Sequence, residues 1–394
     1  MRRGKYILIY IFTGLYCLLS SCIKPFEPVG VKDTAGILVV EGMILEAGTT
    51  IKLSRTVKLN EKLRDSSRMV FVNDAHVCVI DNQSTVVANA EQQIINGKVK
   101  PGEYIVQSKI LFTPGKKYAL DIRIEDKHYQ SAFVSPVSTP NIDEISWKFY
   151  GDNSMDIMVS THDPEGKIHY YRWAYEEDWE IRATFFGEAI FDLQNFDIIK
   201  QDIKGPNNKY YCWDSNVSKS ILLGASDKLT EAVIKNKRIL RIPPLNTRFS
   251  YLYSILVRQY AIDKEAYLYF DNIQKNIDQG GSFFAPQPNE IRGNIKCLSN
   301  PEEPVVGYVV ATKEVASRIF INMEKNEGED FHNCWEQFEF TIPELPIAYY
   351  NEYGIISLLD EDIGLYLCAP VKCVDCTRRG GTKNKPDFWP NDHQ

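Results

Sequence analysis

Apolar and polar residues alternate with a period of two along much of this chain, a pattern that predicts short β-strands. Ile37 to Ile44 is apolar and largely β-branched. In Thr50 to Leu59 the side chains of Ile51, Leu53, Val57 and Leu59 fall mostly on one side. Ala75 to Ile80 and Tyr104 to Val106 are shorter runs of the same kind. Tyr118, Leu120, Ile122 and Ile124 alternate with Ala119, Asp121 and Arg123, and a turn at Glu125, Asp126 and Lys127 leads to a partner strand, His128 to Val134. Strands separated by turn residues, with no helical period, predict a small antiparallel sandwich or barrel over residues 37–138, the sandwich preferred. Its interior should be ordinary aliphatic core.

Pro136 and Pro140 mark a boundary. Beyond it Ile142 to Phe149, Ser154 to Thr161 and a long strand, Ile168 to Arg182, open a second unit that resembles a fibronectin type III or immunoglobulin-like sandwich. Phe185 to Leu245 has no clear period and reads as an insertion anchored by Tyr210, Tyr211, Cys212 and Trp213, with Lys228 to Lys237 as a short helix. The strand pattern resumes at Arg248 to Tyr260. Asp263 then suits a helix N-cap, because its carboxylate can accept early backbone N–H groups. Ala266, Phe270, Ile273 and Ile277 share one face of that helix, which Gly280 and Gly281 should stop. Further strands are expected near Glu290 to Cys297, Val305 to Ala311, Val315 to Asn322 and Phe338 to Ile342.

The fold class expected is therefore mainly β. Two antiparallel β-sandwich domains (37–138 and 139–345, the second with a helical insertion) follow a signal peptide and precede a Cys-rich segment, 346–394, packed on the second domain.

The first residues are of another kind. Arg2, Arg3 and Lys5 precede an apolar run from Tyr6 to Leu19, too short to span a bilayer and the right length for a secretory leader. Leu19, Ser20, Ser21 and Cys22 then resemble a lipobox, so residues 1–21 read as a lipoprotein signal peptide and Cys22 as the lipidated residue. Residues 22–36, interrupted by Pro25 and Pro28, read as a tether; at about 3.3 Å per extended residue they reach about 45 Å. Outer-membrane lipid is thus the first expected partner. No acidic run follows Cys22, and inward or outward orientation stays open.

Removing the leader moves the formal net charge from -7 to -10. An acidic surface argues against nucleic acid, which needs clustered Lys and Arg. No later apolar run approaches the length of a membrane helix. The polar, Pro-containing end from Asp387 to Gln394 does not suit the closing strand of a transmembrane barrel.

Outside the cytoplasm the cysteines can oxidise. Cys78, isolated upstream, is expected to be a free thiol in a strand. Cys212, Cys297, Cys334, Cys368, Cys373 and Cys376 are expected to supply two or three disulfides in a pairing that the sequence leaves open. Cys373 and Cys376 form C-x-x-C; a zinc site there would need further ligands such as His332 or His393, and a redox centre would need a following helix. Disulfides are the preferred reading, with no metal and no cofactor. Asp163, Pro164, Glu165 and Gly166 suit a β-turn better than a Ca²⁺ loop. Glu176, Glu177, Asp178 and Glu180 are expected on a solvated sheet edge. Tyr171, Trp173, Tyr175 and Trp179 share one face of a strand and are the candidate binding aromatics, if that face is not core. The chain lacks H-E-x-x-H, G-x-S-x-G, a P-loop and G-x-G-x-x-G, so no catalytic residue is nominated and a non-enzyme is expected.

The lipobox, the strand Leu38 to Gly42, the segment Cys297 to Gly307, and Cys373, Asp375, Cys376, Thr377, Gly380, Gly381, Thr382 and Pro386 to Trp389 together resemble the Bacteroidetes lipoprotein family known as domain of unknown function family 4249. The resemblance implies an envelope lipoprotein of β-sandwich architecture, often found with TonB-dependent outer-membrane transporters, and supplies no catalytic residues. A binding or accessory component of such a transport system is the function expected. A structural or adhesive envelope protein that holds glycan or peptidoglycan is the alternative.

Overall fold

A computed structural model describes residues 36–57, 70–95, 97–106, 109–192, 197–202, 205, 208–279, 293–323, 334–341 and 352–390. The leader, Cys22 and the tether up to residue 35 lie outside these, as do Gly280, Gly281, His332 and His393.

The protein is mainly β. In chain order the strands are β1 (Leu38–Glu41), β2 (Ile44–Leu45), β3 (Thr49–Arg55), β4 (Val70–Phe71), β5 (His76–Asp81), β6 (Val86–Ile95), β7 (Lys98–Val106), β8 (Tyr118–Ile124) and β9 (Lys127–Ser131), then β10 (Ile142–Phe149), β11 (Met155–His162), β12 (Tyr170–Arg182), β13 (Ala189–Asp192), β14 (Asp197–Lys200), β15 (Tyr211–Val217), β16 (Leu222–Ala225), β17 (Val233–Ile242) and β18 (Leu252–Ala261). Helix α1 (Lys264–Gln279) follows, then β19 (Ile295–Cys297), β20 (Val305–Val306), β21 (Ala311–Thr312), β22 (Glu314–Asn322), β23 (Phe338–Thr341), β24 (Tyr353–Asp360) and β25 (Leu365–Pro370).

The first unit is one sheet in the order β19-β9-β8-β5-β6-β7-β3-β1-β20. Its inner residues, among them Leu38, Ile51, Leu53, Val79, Tyr104, Leu120, Ile122 and Tyr129, form one buried cluster. Each such side chain removed from water contributes roughly 1.5–3 kcal/mol. The outer side of β5 and β8 is covered as well, by Cys78, Ile80, Ala119 and Phe133. Two strands of this unit, β19 and β20, come from a stretch far along the chain, so the division expected at 138/139 is crossed. β20 joins β1 in parallel, which departs from a purely antiparallel sheet; the return of the chain beside β1 imposes that direction.

The second unit packs a sheet of β10-β11-β17 against one of β15-β12-β18-β22. Met155, Ile157 and Val159 meet Tyr171, Trp173, Trp179, Tyr253, Ile255 and Val257 in a shared core. Residues 228–237 do not form the expected helix: Val233 onward is β17, paired along β11, because Val233, Ile234, Ile239 and Ile242 are β-branched and the last three of them face the core. The region expected to be an irregular insertion supplies β13 to β17. Helix α1 forms as expected. Asp263 Oδ1 accepts the Ala266 N–H at 2.7 Å, and Ala266, Tyr269 and Phe270 are buried, while Ile277, on the same face but near the helix end, is exposed.

β12 is a central strand, so its acids are not on an edge. Glu177 points into the core and is fully buried. It accepts from Arg248 Nε (2.8 Å), Arg248 Nη2 (3.1 Å), Tyr253 Oη (2.8 Å) and Asn216 Nδ2 (2.8 Å). The Arg248 guanidinium also lies 4.3 Å from the Trp179 ring centroid. Burial first, then Glu177, pushes the Tyr253 phenol far up and keeps it a donor. Asp163 does form the expected turn, accepting from Lys167 N and Ile168 N at 2.7 and 2.8 Å.

The C-terminal segment is bound to the second unit. Cys212 pairs with Cys376 and Cys334 with Cys373, each with Cα atoms 5.7 Å apart. Cys297 and Cys368, nominated for disulfides, are free and buried: the first sits in β19 of the first sheet and the second in β25, with no cysteine opposite. Burial pushes the Cys368 thiol up to about 12. Cys78 is free and buried. Gly381 approaches so closely that a Cβ there would stand 2.5 Å from Cys212 Cβ.

Two measurements check this account. Glu177→Ala should cost about 3–5 kcal/mol of stability, since it strands Arg248 inside the protein; a denaturant midpoint shift worth under about 1 kcal/mol would refute the buried network. Non-reducing peptide mapping should recover the 212–376 and 334–373 linkages, with Cys78, Cys297 and Cys368 alkylated only after unfolding. Any linkage that includes Cys297 or Cys368 would overturn the pairing.

Candidate functional site

A cleft with a volume of about 860 Å³ lies where the two units meet. That falls within the roughly 300–1,000 Å³ of ordinary small-ligand sites, which favour such junctions.

Its first wall is the end of the first sheet. Leu45 N donates to Thr49 Oγ1 at 2.8 Å across a tight turn whose Gly48 has φ +125. Gly42 (φ +150) presses on β3; a Cβ there would stand 2.5 Å from Ile51 Cδ1 and 2.8 Å from the Thr50 carbonyl. Any other residue would push this wall away from β3.

The second wall is the outer face of β12, β18 and β22. Register sets Ala174 opposite Arg258 and Tyr260 opposite Glu314. Glu176, two residues after Ala174, falls on that same face because side chains alternate. Arg258 is held between the two acids: Nη2 and Nε lie 3.0 and 3.2 Å from Glu176 Oε1, and Nη1 lies 2.5 Å from Glu314 Oε1. Tyr260 Oη donates to the other Glu314 oxygen at 2.7 Å. Burial works to lower the Arg258 guanidinium, but Glu314 and Glu176 outweigh it and the net direction is up. Tyr260 is raised by burial and then by Glu314. Arg258 and Tyr260 thus both keep their protons near neutral pH, which suits hydrogen bonding to a ligand better than proton transfer.

With Lys52, Glu176, Arg258 and Glu314 the lining carries two charges of each sign. Thr49, Thr50, Ser218 and strand backbone add neutral donors and acceptors. The arrangement fits a polar ligand without strong net charge.

The candidate aromatics are mostly elsewhere. Tyr171, Trp173 and Trp179 are buried in the second core, Trp173 Nε1 donating to Gln259 Oε1 at 2.8 Å. Only Tyr175, half-buried, borders the cleft. The reason is that β12 turns this aromatic face toward β10, β11 and β17, so it is core. Gly224 confirms the fit: a Cβ on it would stand 2.7 Å from the Trp173 ring. Glu176 was visible only as part of an acidic run. Arg258 and Glu314 were missed, although one signal existed: a charged residue inside the mostly apolar Leu252–Ala261 strand calls for a carboxylate partner.

Cys373 and Cys376 bond to different partners, so this C-x-x-C is not a dithiol pair in the structure. Asp375 between them is buried, accepts from Thr377 N at 2.9 Å and pairs with Lys209 at 2.9 Å. Among the described residues no group of three or more His, Cys, Asp or Glu is placed to hold a metal ion, and no helix is long and apolar enough to cross a membrane.

No curated protein matches the chain. A family model described as Domain of unknown function (DUF4249) matches residues 23–318. Leu38 to Gly42 and Cys297 to Gly307 lie inside that span, and Cys373 to Trp389 lie beyond it. The match covers well over half of the sequence, and the chain belongs to the DUF4249 family.

Proposed function

We propose that this protein is a non-enzymatic binding lipoprotein, anchored to the outer membrane through acylated Cys22, that holds a polar ligand between its two units as an accessory of a TonB-dependent transporter. The observation that carries the reading is the cleft, preformed and floored by the Glu176, Arg258, Glu314 and Tyr260 network. The leader and lipobox support the anchor, and the family resemblance supports the transporter. Fibronectin type III-like ancestry of the second unit belongs to the same reading.

Thr50 is exposed on β3 and lines the cleft without entering the core. Thr50→Trp should fill the space, weakening uptake of the ligand about tenfold, or about 1.4 kcal/mol, with an unchanged melting temperature. A photo-crosslinker at the same position in cells should recover an outer-membrane transporter. Full uptake by Thr50→Trp, together with crosslinks to lipid and self only, would dismiss the proposal.

Adhesion to envelope glycan is favoured by a different observation, the exposure of Trp147 (45%) and Trp335 (75%), since large apolar surfaces left in water mark contact sites. A glycan array on the full chain decides it: binding that disappears in Trp147→Ala or Trp335→Ala supports adhesion, and an empty array removes it.

A further inference from the structure

Strand registers give the first unit two unlike ends. One end carries the cleft. At the other, the chain enters: Gly36 N donates to Thr56 O at 2.8 Å, and Leu38 lies opposite Arg55. Val70 and Phe71 pair with Arg55 and Ser54 at this same end. The β3–β7 register, Thr49 with Val106 through Lys52 with Glu103, runs toward the β6–β7 turn as β3 runs toward Arg55. That turn is closed by Ile94 opposite Val99 and Ile95 opposite Lys98. The entry of the chain and the tip of the β6–β7 arm therefore share one end of the sheet, away from the second unit.

The tip is unusually apolar for an exposed arm. Ile94 is 62% exposed, Ile95 40% and Val99 48%, while Val70 and Phe71 beside the entry point are 54% and 44% exposed. Lys98 and Lys100 flank them and are exposed too. Branched apolar side chains next to lysines, at the end of a structure, are what the boundary between lipid headgroups and acyl chains accepts.

We propose that the β6–β7 arm inserts Ile94, Ile95 and Val99 into the bilayer surface, with Lys98 and Lys100 at the headgroups. The proposal rests on the reading of Cys22 as the anchor for which surface this is. Only 13 residues separate Cys22 from Gly36, and a relaxed chain of that length spans roughly 20 Å. A short tether makes the arm's contact intramolecular, so side chains too few to bind lipid alone bind it once anchored. The membrane-facing end is then fixed, and the cleft points away from the lipid.

The test uses the full chain, made with its own leader, reconstituted in phosphatidylethanolamine and phosphatidylglycerol vesicles. Ile95→Trp and, as a control on the second unit, Leu229→Trp are compared by difference fluorescence in plain and brominated lipid. The emission added by Ile95→Trp should fall by about half in brominated vesicles, as expected for a residue some 5–10 Å into the boundary, while that added by Leu229→Trp stays unchanged. Flotation and the mass of the N-terminal peptide report the anchor separately. A chain that is acylated and floats but shows no quenching at position 95 overturns the arm and leaves the anchor reading standing. An unacylated chain that floats and is quenched does the reverse. A chain neither acylated nor floating overturns both. A blue shift at position 95 that grows with protein concentration without lipid assigns the arm to a second copy and also overturns the proposal.

Discussion

The relation between the two units rests on a chain that passes between them repeatedly. It leaves the first sheet after β9, returns from α1 to form β19, β20 and β21, and leaves again into β22. Buried polar bonds lock the crossing. Thr312 Oγ1 donates to Ala261 O at 2.8 Å, Ala261 N donates to Thr139 Oγ1 at 2.9 Å, and the two threonine hydroxyls lie 3.1 Å apart. Helix α1 fills the remaining space, with Ala266, Tyr269 and Phe270 against Leu223 and Ile262 of the second unit and Val310, Met43 and Tyr308 of the first. Sliding one unit over the other would strand hydroxyls and open an aromatic core together, so the joint has no cheap way to move.

A fixed joint makes the cleft a fixed shape. Its walls belong to different units, yet neither can withdraw without breaking the lock described above. The charged floor is likewise set before any ligand arrives, since Arg258 already has both carboxylates and Tyr260 already has Glu314. Such a site spends little binding free energy on ordering itself. In the proposed binding role it would discriminate by hydrogen-bond pattern more than by charge, because the opposed charges nearly cancel.

How much of this was legible depended on whether local pattern or distant pairing decided the outcome. Tyr118 to Ile124 and Ile142 to Phe149 announced themselves as strands and have those same bounds, and Asp263 announced its helix. Lys228 to Lys237 did not, because Lys235, Lys237 and Arg238 are exposed on a strand whose apolar phase is interrupted by register shifts against β11. The aromatic face of β12 was visible, but whether it met water or another sheet was a tertiary fact. Cysteine pairing was hidden for the same reason. Cys212 and Cys376 are 164 residues apart, and nothing local distinguishes them from Cys297 or Cys368, which β-pairing places in different sheets.

That long disulfide also decides what the C-terminal segment is. It lies beyond the residues matched by the family, which could suggest an appendage. Its contacts say otherwise. Cys376 belongs to the second core itself, with Tyr253 and Ile181. Trp389 is buried against Trp213 and Leu252, and Thr382 exchanges backbone hydrogen bonds with Trp213 at 2.7 and 2.8 Å. Arg379 reaches back to the Arg182 carbonyl at 2.9 Å, at the end of the central strand. The loop closed by Cys212 and Cys376 contains β18 and β22, the two strands that hold Arg258 and Glu314. Closing a loop of that length removes unfolded-state freedom worth about 5 kcal/mol on the chain-entropy account. The segment is thus a clasp on the sheet that floors the cleft, and the cysteines that first suggested chemistry serve to hold that wall of the cleft in place.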